Sequence, residues 1–102
     1  MELIQPEELK KRMDNNENIN LVDVRELSEH TAYNIGGKLI PLGQILSMQL
    51  EDIYELKDQE IIFYCRSGNR SAQACLMLEP LGFKNVKNLV GGMLAWQEKF
   101  PG

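Results

Sequence analysis

Histidine occurs once in this 102-residue chain, at His30, and cysteine only twice, at Cys65 and Cys75. A lone histidine leaves no obvious Ser-His-Asp or Cys-His arrangement. Two thiols without Cys/His ligand spacing make neither a disulfide framework nor a zinc site, so no metal or cofactor is expected. His30 reads as a partly buried or surface residue on a helix. Long apolar runs are also missing, and none approaches the length of a membrane span. The first residues, Met1-Glu2-Leu3-Ile4-Gln5-Pro6, have neither the basic start nor the apolar core of a signal peptide. These absences predict a cytoplasmic protein with no membrane partner. Positive charge is in deficit, 11 Lys and Arg against 15 Asp and Glu for a net charge of −4. That argues against bulk attraction to nucleic acid or anionic membranes, although a locally positive pocket on an acidic protein still accepts a small anion. No linker, repeat or low-complexity stretch interrupts the chain, so residues 1–102 read as one domain.

What is present is an alternation of short apolar runs with segments of helical period. Asn20-Leu21-Val22-Asp23-Val24 and Glu60-Ile61-Ile62-Phe63-Tyr64 are β-branched or aromatic and bounded by polar residues, as buried strands are. Leu39-Ile40 and Val86 to Leu89 predict two more strands, and Leu3-Ile4 a fifth at an edge. Helices are predicted from Pro6, with acids first and Lys10, Lys11 and Arg12 closing it, then over 26–32, 45–54, 71–79 and 93–100. The third would carry Leu46, Leu50 and Ile53 on one side. The fourth would carry Ala72, Cys75 and Leu76, before Pro80 disturbs its last turn. Trp96 and Phe100 stand one turn apart at core spacing. Strands alternating with helices predict an α/β fold: a three-layer α/β/α arrangement around a mostly parallel five-stranded sheet. Ligands of such sheets bind beyond the carboxyl ends of the strands, which points to Asp23-Val24-Arg25-Glu26 and to the segment from Cys65.

That second segment, Cys65-Arg66-Ser67-Gly68-Asn69-Arg70-Ser71, has the parts of a thiolate site. A buried strand ends at a cysteine, and a helix begins a few residues later. Gly68 and Asn69 are best able to take the positive φ with which the loop curls its N–H groups around the sulfur. The helix N-terminus aims its unpaired N–H groups at the same point. Ser71 serves either as the N-cap or as a hydroxyl donor to the sulfur. With Arg66 and Arg70 adding charge, the thiol pKa is expected to fall below its free value of about 8.5. A drop of two units, about 2.7 kcal/mol, raises the thiolate fraction at neutral pH from about 3% to about three-quarters. Cys65 is therefore the candidate nucleophile. Cys75, on the apolar face of the fourth helix, is assigned to core packing.

These residues carry a resemblance to the rhodanese-like domains, specifically the single-domain sulfurtransferases. Asp23-Val24-Arg25-Glu26, Ile40-Pro41-Leu42, the Cys65 loop, and Leu81-Gly82-Phe83 through Gly91-Gly92-Met93-Leu94-Ala95-Trp96 resemble that family's motifs in order and over nearly the whole chain. The resemblance implies that Cys65 takes sulfane sulfur from a thiosulfate-like anion as a persulfide. It then passes the sulfur to a thiol, cyanide or a protein. Arg66, Ser67, Gly68, Asn69, Arg70 and Ser71 would bind the substrate. Asp23 and Arg25, at a strand's carboxyl end where a catalytic role is the alternative, are assigned to structural support as a carboxylate and guanidinium that tie loops together. A monomer or weak dimer is expected. Two rival readings are a non-catalytic binding module and a phosphatase or arsenate reductase. Phosphatases and arsenate reductases with a similar cradle have five residues between cysteine and arginine, whereas four separate Cys65 from Arg70, which favours a pocket sized for sulfur. One segment departs from the family. Tyr33-Asn34-Ile35-Gly36-Gly37-Lys38 stands where Gly-His-Ile-Pro-Gly-Ala is usual, which predicts a locally different turn.

Overall fold

A computed structural model describes residues 1–101. Five strands, β1 (Glu2–Ile4), β2 (Leu21–Asp23), β3 (Lys38–Leu39), β4 (Glu60–Tyr64) and β5 (Asn85–Leu89), form one sheet in the order β1-β5-β4-β2-β3. Every pairing is parallel. Between them run α1 (Pro6–Asp14), α2 (Leu27–Ala32), α3 (Leu42–Leu46), α4 (Asn69–Leu78) and α5 (Gly92–Lys99). The expected α/β architecture stands, with β1 at an edge.

The middle strand shows why. Ile61, Ile62, Phe63 and Tyr64 are fully buried, as a strand covered on both faces of a parallel sheet must be. Strand side chains alternate between faces. Ile61, Phe63 and Cys65 pack with Ile45, Ala74, Cys75 and Leu78 on one side. Ile62 and Tyr64 pack with Leu9, Met93 and Trp96 on the other. The alternation thus sends Cys65 to the face covered by α4, whose N-terminus follows it in the chain. On the opposite face Trp96 and Phe100 meet edge to face with ring centroids 4.9 Å apart, so that stripe packs as expected. Pro6 opens α1 over Glu7 and Glu8, with Lys11 and Arg12 in its last turn.

Two helix expectations differ from the structure. The helix expected over 45–54 begins at Leu42, straight after Pro41, and stops at Leu46. Met48 turns the chain at φ +62°, and only a 3-10 turn, Tyr54–Leu56, follows. Ile45 reaches the core from α3, while Leu50 and Ile53 reach it from the irregular segment that follows the helix. Leu46 is 47% exposed. On α4 the buried residues are Ser71, Ala74, Cys75 and Leu78, while Leu76 is 59% exposed. This buried stripe, at i, i+3, i+4 and i+7, is not the face expected from Ala72, Cys75 and Leu76; the helix also starts two residues before Ser71. Pro80 does break the last turn, which becomes a 3-10 turn over Glu79–Leu81 closed by Gly82. The unusual segment between α2 and β3 forms a turn tied by Asn34, whose side chain donates to the His30 carbonyl at 2.9 Å and accepts from Gly36 N–H at 2.8 Å.

Candidate active site

Cys65 follows β4 directly and is 1% exposed. Gly68, at φ +107°, turns the chain back so that it caps α4, a backbone conformation open to glycine at little cost. Asn69 needs no positive φ, since it is the first residue of the helix. Ser71 is consequently the third helical residue, not the N-cap. Its N–H, which has no intrahelical partner at that position, donates to Cys65 Sγ at 3.4 Å, and Gly68 N–H donates at 3.1 Å. The Ser71 hydroxyl also lies 3.4 Å from the sulfur.

The loop's other side is held by groups whose role the sequence did not suggest. Asn88, buried on β5, donates from Nδ2 to the Gly68 carbonyl at 3.0 Å and accepts the Ser71 hydroxyl on Oδ1 at 2.5 Å. The first-turn N–H groups of α5 take the loop's carbonyls: Met93 N–H reaches Cys65 O at 2.9 Å and Leu94 N–H reaches Arg66 O at 3.0 Å. Gly92 sits against that peptide at φ +55°, where a Cβ would fall 2.4 Å from Cys65 O. Carbonyls are thus drawn outward to α5, leaving N–H groups to turn inward to the sulfur. Period-2 patterning marked Asn88 only as a strand residue. A polar side chain in the middle of a buried strand was the one available signal.

Burial pushes the Cys65 thiol up, but hydrogen bonds from the Ser71 hydroxyl and from the N–H groups of Ser71, Gly68 and Ser67 outweigh it, and its pKa is lowered. The expected fall is present, and hydrogen bonds, more than the arginines, are its main causes. Arg66 is exposed and, among the described residues, forms no ion pair. Arg70 is engaged by Glu29 through Nη1–Oε1 at 2.7 Å and Nη2–Oε2 at 2.8 Å.

Asp23 and Arg25 are buried beside the loop and bonded to each other. Arg25 Nε and Nη2 donate to the two Asp23 oxygens at 2.9 and 2.8 Å, and Nη2 also reaches the Tyr33 carbonyl at 2.6 Å. His30 Nδ1 lies 2.9 Å from Asp23 Oδ2. These contacts join the end of β2 to α2 and the following turn, and none reaches Cys65. Cys75 is fully buried, and burial pushes its thiol up to about 12. Among the described residues no group of His, Cys, Asp and Glu could hold a metal ion. No helix among them is long and apolar enough to cross a membrane.

A buried cysteine sulfur at the end of the middle strand, cradled by the first turn of the next helix, has clear counterparts. The family model for the rhodanese-like domain matches residues 5–99. The chain is a rhodanese-like domain. It is 37% identical to a sulfurtransferase of Allochromatium vinosum, over 91% of this chain and 85% of that protein. It is 33% identical to human thiosulfate:glutathione sulfurtransferase, over 78% of this chain and 79% of that one. A crystal structure of a rhodanese-like domain protein from Staphylococcus aureus superposes with a TM-score of 0.81 at 32% identity, covering 94% of this chain and 91% of the other. The domain also matches the putative sulfur carrier protein YrkF of Bacillus subtilis at 37% identity, spanning 49% of that longer protein. Relatives matched over most of their length place this rhodanese-like domain among the sulfurtransferases.

Proposed function

We propose that the domain carries sulfane sulfur as a persulfide on Cys65, taken from a small anionic donor of the thiosulfate type. The thiolate attacks the donor's outer sulfur, the donor S–S bond breaks, and sulfite leaves with the electron pair. A thiophilic acceptor, whether cyanide, a small thiol or a protein thiol, then attacks the terminal sulfur and returns Cys65 as thiolate. The observation that carries this reading is the cradle itself: a buried sulfur accepting N–H groups from Gly68 and Ser71. The first-turn N–H groups of Asn69 and Arg70, which have no intrahelical partner, are the donors for the second sulfur of a persulfide anion. Arg66 would attract the donor's charge. The name of the human relative supports thiosulfate as donor and a thiol as acceptor. In this reading the domain acts in the cytoplasm, as a monomer or weak dimer.

The test is direct. Thiosulfate is expected to add one sulfur, roughly 32 Da, to the intact protein. Cyanide should then remove it with release of thiocyanate, and Cys65→Ala should abolish both steps. A protein that gains no sulfur from any sulfane donor, or that releases phosphate from an aryl phosphate, would overturn the reading.

A further inference from the structure

Arg70 and Glu29 form a two-point ion pair at the mouth of the loop, with side chains 32% and 30% exposed. The Arg70 guanidinium holds the Glu29 carboxyl at about 2 despite partial burial, so Glu29 is ionised throughout the working range. Its position is set from behind as well. Glu29 Oε1 accepts Glu26 N–H at 3.1 Å as part of the capping box that starts α2. The carboxylate is therefore built into a helix terminus and is not a wandering surface charge. Arg70 is also within electrostatic reach of Cys65. With Arg70 cancelled by Glu29, Arg66 is the one cation at the loop that no acid balances among the described residues.

We propose that Glu29 is a specificity-determining positioning residue: by cancelling Arg70 it fits the pocket to a sulfane donor of one negative charge, of the organic thiosulfonate or persulfide class, over dianionic thiosulfate. This rests on the sulfur-transfer reading above. Coulomb energy at a partly buried site is large enough for one added charge to change binding severalfold. For a thiosulfonate, R–SO2–S⁻, the Cys65 thiolate attacks the outer sulfur, the S–S bond breaks, and the electron pair leaves with the sulfinate R–SO2⁻. The persulfide remains as Cys65–S–S⁻. Charge and electrons balance with no proton donor and no oxidant.

Thiosulfate and methanethiosulfonate, nearly equal in shape and different by one charge, are the probes, compared at fixed low ionic strength. In Glu29→Gln the ratio of kcat/KM for thiosulfate to that for methanethiosulfonate is expected to rise at least about fivefold, mainly through KM. Arg70→Gln should lower the ratio, and the double variant, which again has a neutral pair, should return it towards the wild-type value. A merely structural role would move both donors together. A ratio unmoved in Glu29→Gln, or in Arg70→Gln should the first variant fail to fold, overturns the proposal. If neither donor adds sulfur to the wild-type protein, the sulfur-transfer reading itself fails, and mass measurement separates that outcome from a flat ratio.

Discussion

Ser71 has one hydroxyl proton and two acceptors for it, Asn88 Oδ1 and the Cys65 sulfur. The Asn88 amide cannot turn away, because its Nδ2 is committed to the Gly68 carbonyl. In the thiol form both acceptors are satisfied when Cys65 S–H donates to Ser71 and Ser71 donates to Asn88. Ionisation removes the first proton and makes the sulfur the stronger acceptor, so the hydroxyl must leave Asn88 or leave the thiolate to its N–H donors. The Ser71 contribution is thus contested, while those of the Gly68 and Ser71 N–H groups are not. Thiolate fraction rises with pH, and a lowered pKa moves that rise to lower pH. The rate of Cys65 alkylation by iodoacetamide should therefore level off below the ordinary thiol range. Ser71→Ala should shift the profile to higher pH and slow alkylation at neutral pH by about three- to tenfold, the worth of one such hydrogen bond. Cys75, held as thiol near 12 by burial, does not contaminate the measurement.

At the level of elements the site is a junction of one strand and two helix starts. β4 delivers the cysteine, the first turn of α4 supplies donors to its sulfur, and the first turn of α5 takes the carbonyls of the same loop. Gly92 makes the second contact possible by its lack of a side chain as much as by its positive φ. Gly92→Ala would place a Cβ within 2.4 Å of Cys65 O and 2.7 Å of the Arg66 carbonyl carbon, both of them backbone atoms. That clash, with a non-glycine residue at φ +55°, should cost about 2–4 kcal/mol. Urea unfolding would measure the cost, and sulfur transfer should fall further than stability alone predicts, because the displaced peptide is that of Cys65. Gly91-Gly92 was legible as part of a family-like signature, but its mechanical role was not. That role depends on α5 meeting a loop from a different βα unit.

Across the whole molecule, carboxylates hold distant segments together. Glu60, at the amino end of β4, accepts Arg12 of α1 at 3.1 and 2.5 Å and pairs with Lys87 of β5 at 2.8 Å. The Arg12 hydrogen bonds hold its carboxyl at about 2, with burial opposing and Lys87 assisting. Glu29 is likewise held at about 2 by Arg70. Asp23 is raised by burial but lowered on balance by Arg25 and His30. Folded-state values below the unfolded range of about 4 stabilise the protein fully at neutral pH, and that contribution is lost as pH falls from about 4 towards 2. Stability from urea unfolding should be flat near neutrality and fall steeply across that window. Glu60→Gln should cost about 1–2 kcal/mol at pH 7 and make the acid branch shallower, since its pairs are partly exposed.

The order of strands and helices, the thiolate loop and its place at a strand end were legible in local patterning. Hydrophobic period and turn chemistry act over a few residues, and Ile61-Ile62-Phe63-Tyr64-Cys65 with Gly68 contains both. The resemblance to the rhodanese-like family pointed to the same loop. What only the tertiary structure decided is who partners whom. The pairing of Arg70 with Glu29 spans 41 residues and that of Ser71 with Asn88 spans 17. The first pair meets because β2 and β4 are neighbours in the sheet but not in sequence, and the second because the βα unit of β4 and α4 packs against β5, so no local pattern encodes either. Two arginines near a cysteine therefore read as two charges on its pocket. In the folded chain one of them is spent on Glu29, and the sulfur is governed by backbone N–H groups and a shared serine proton.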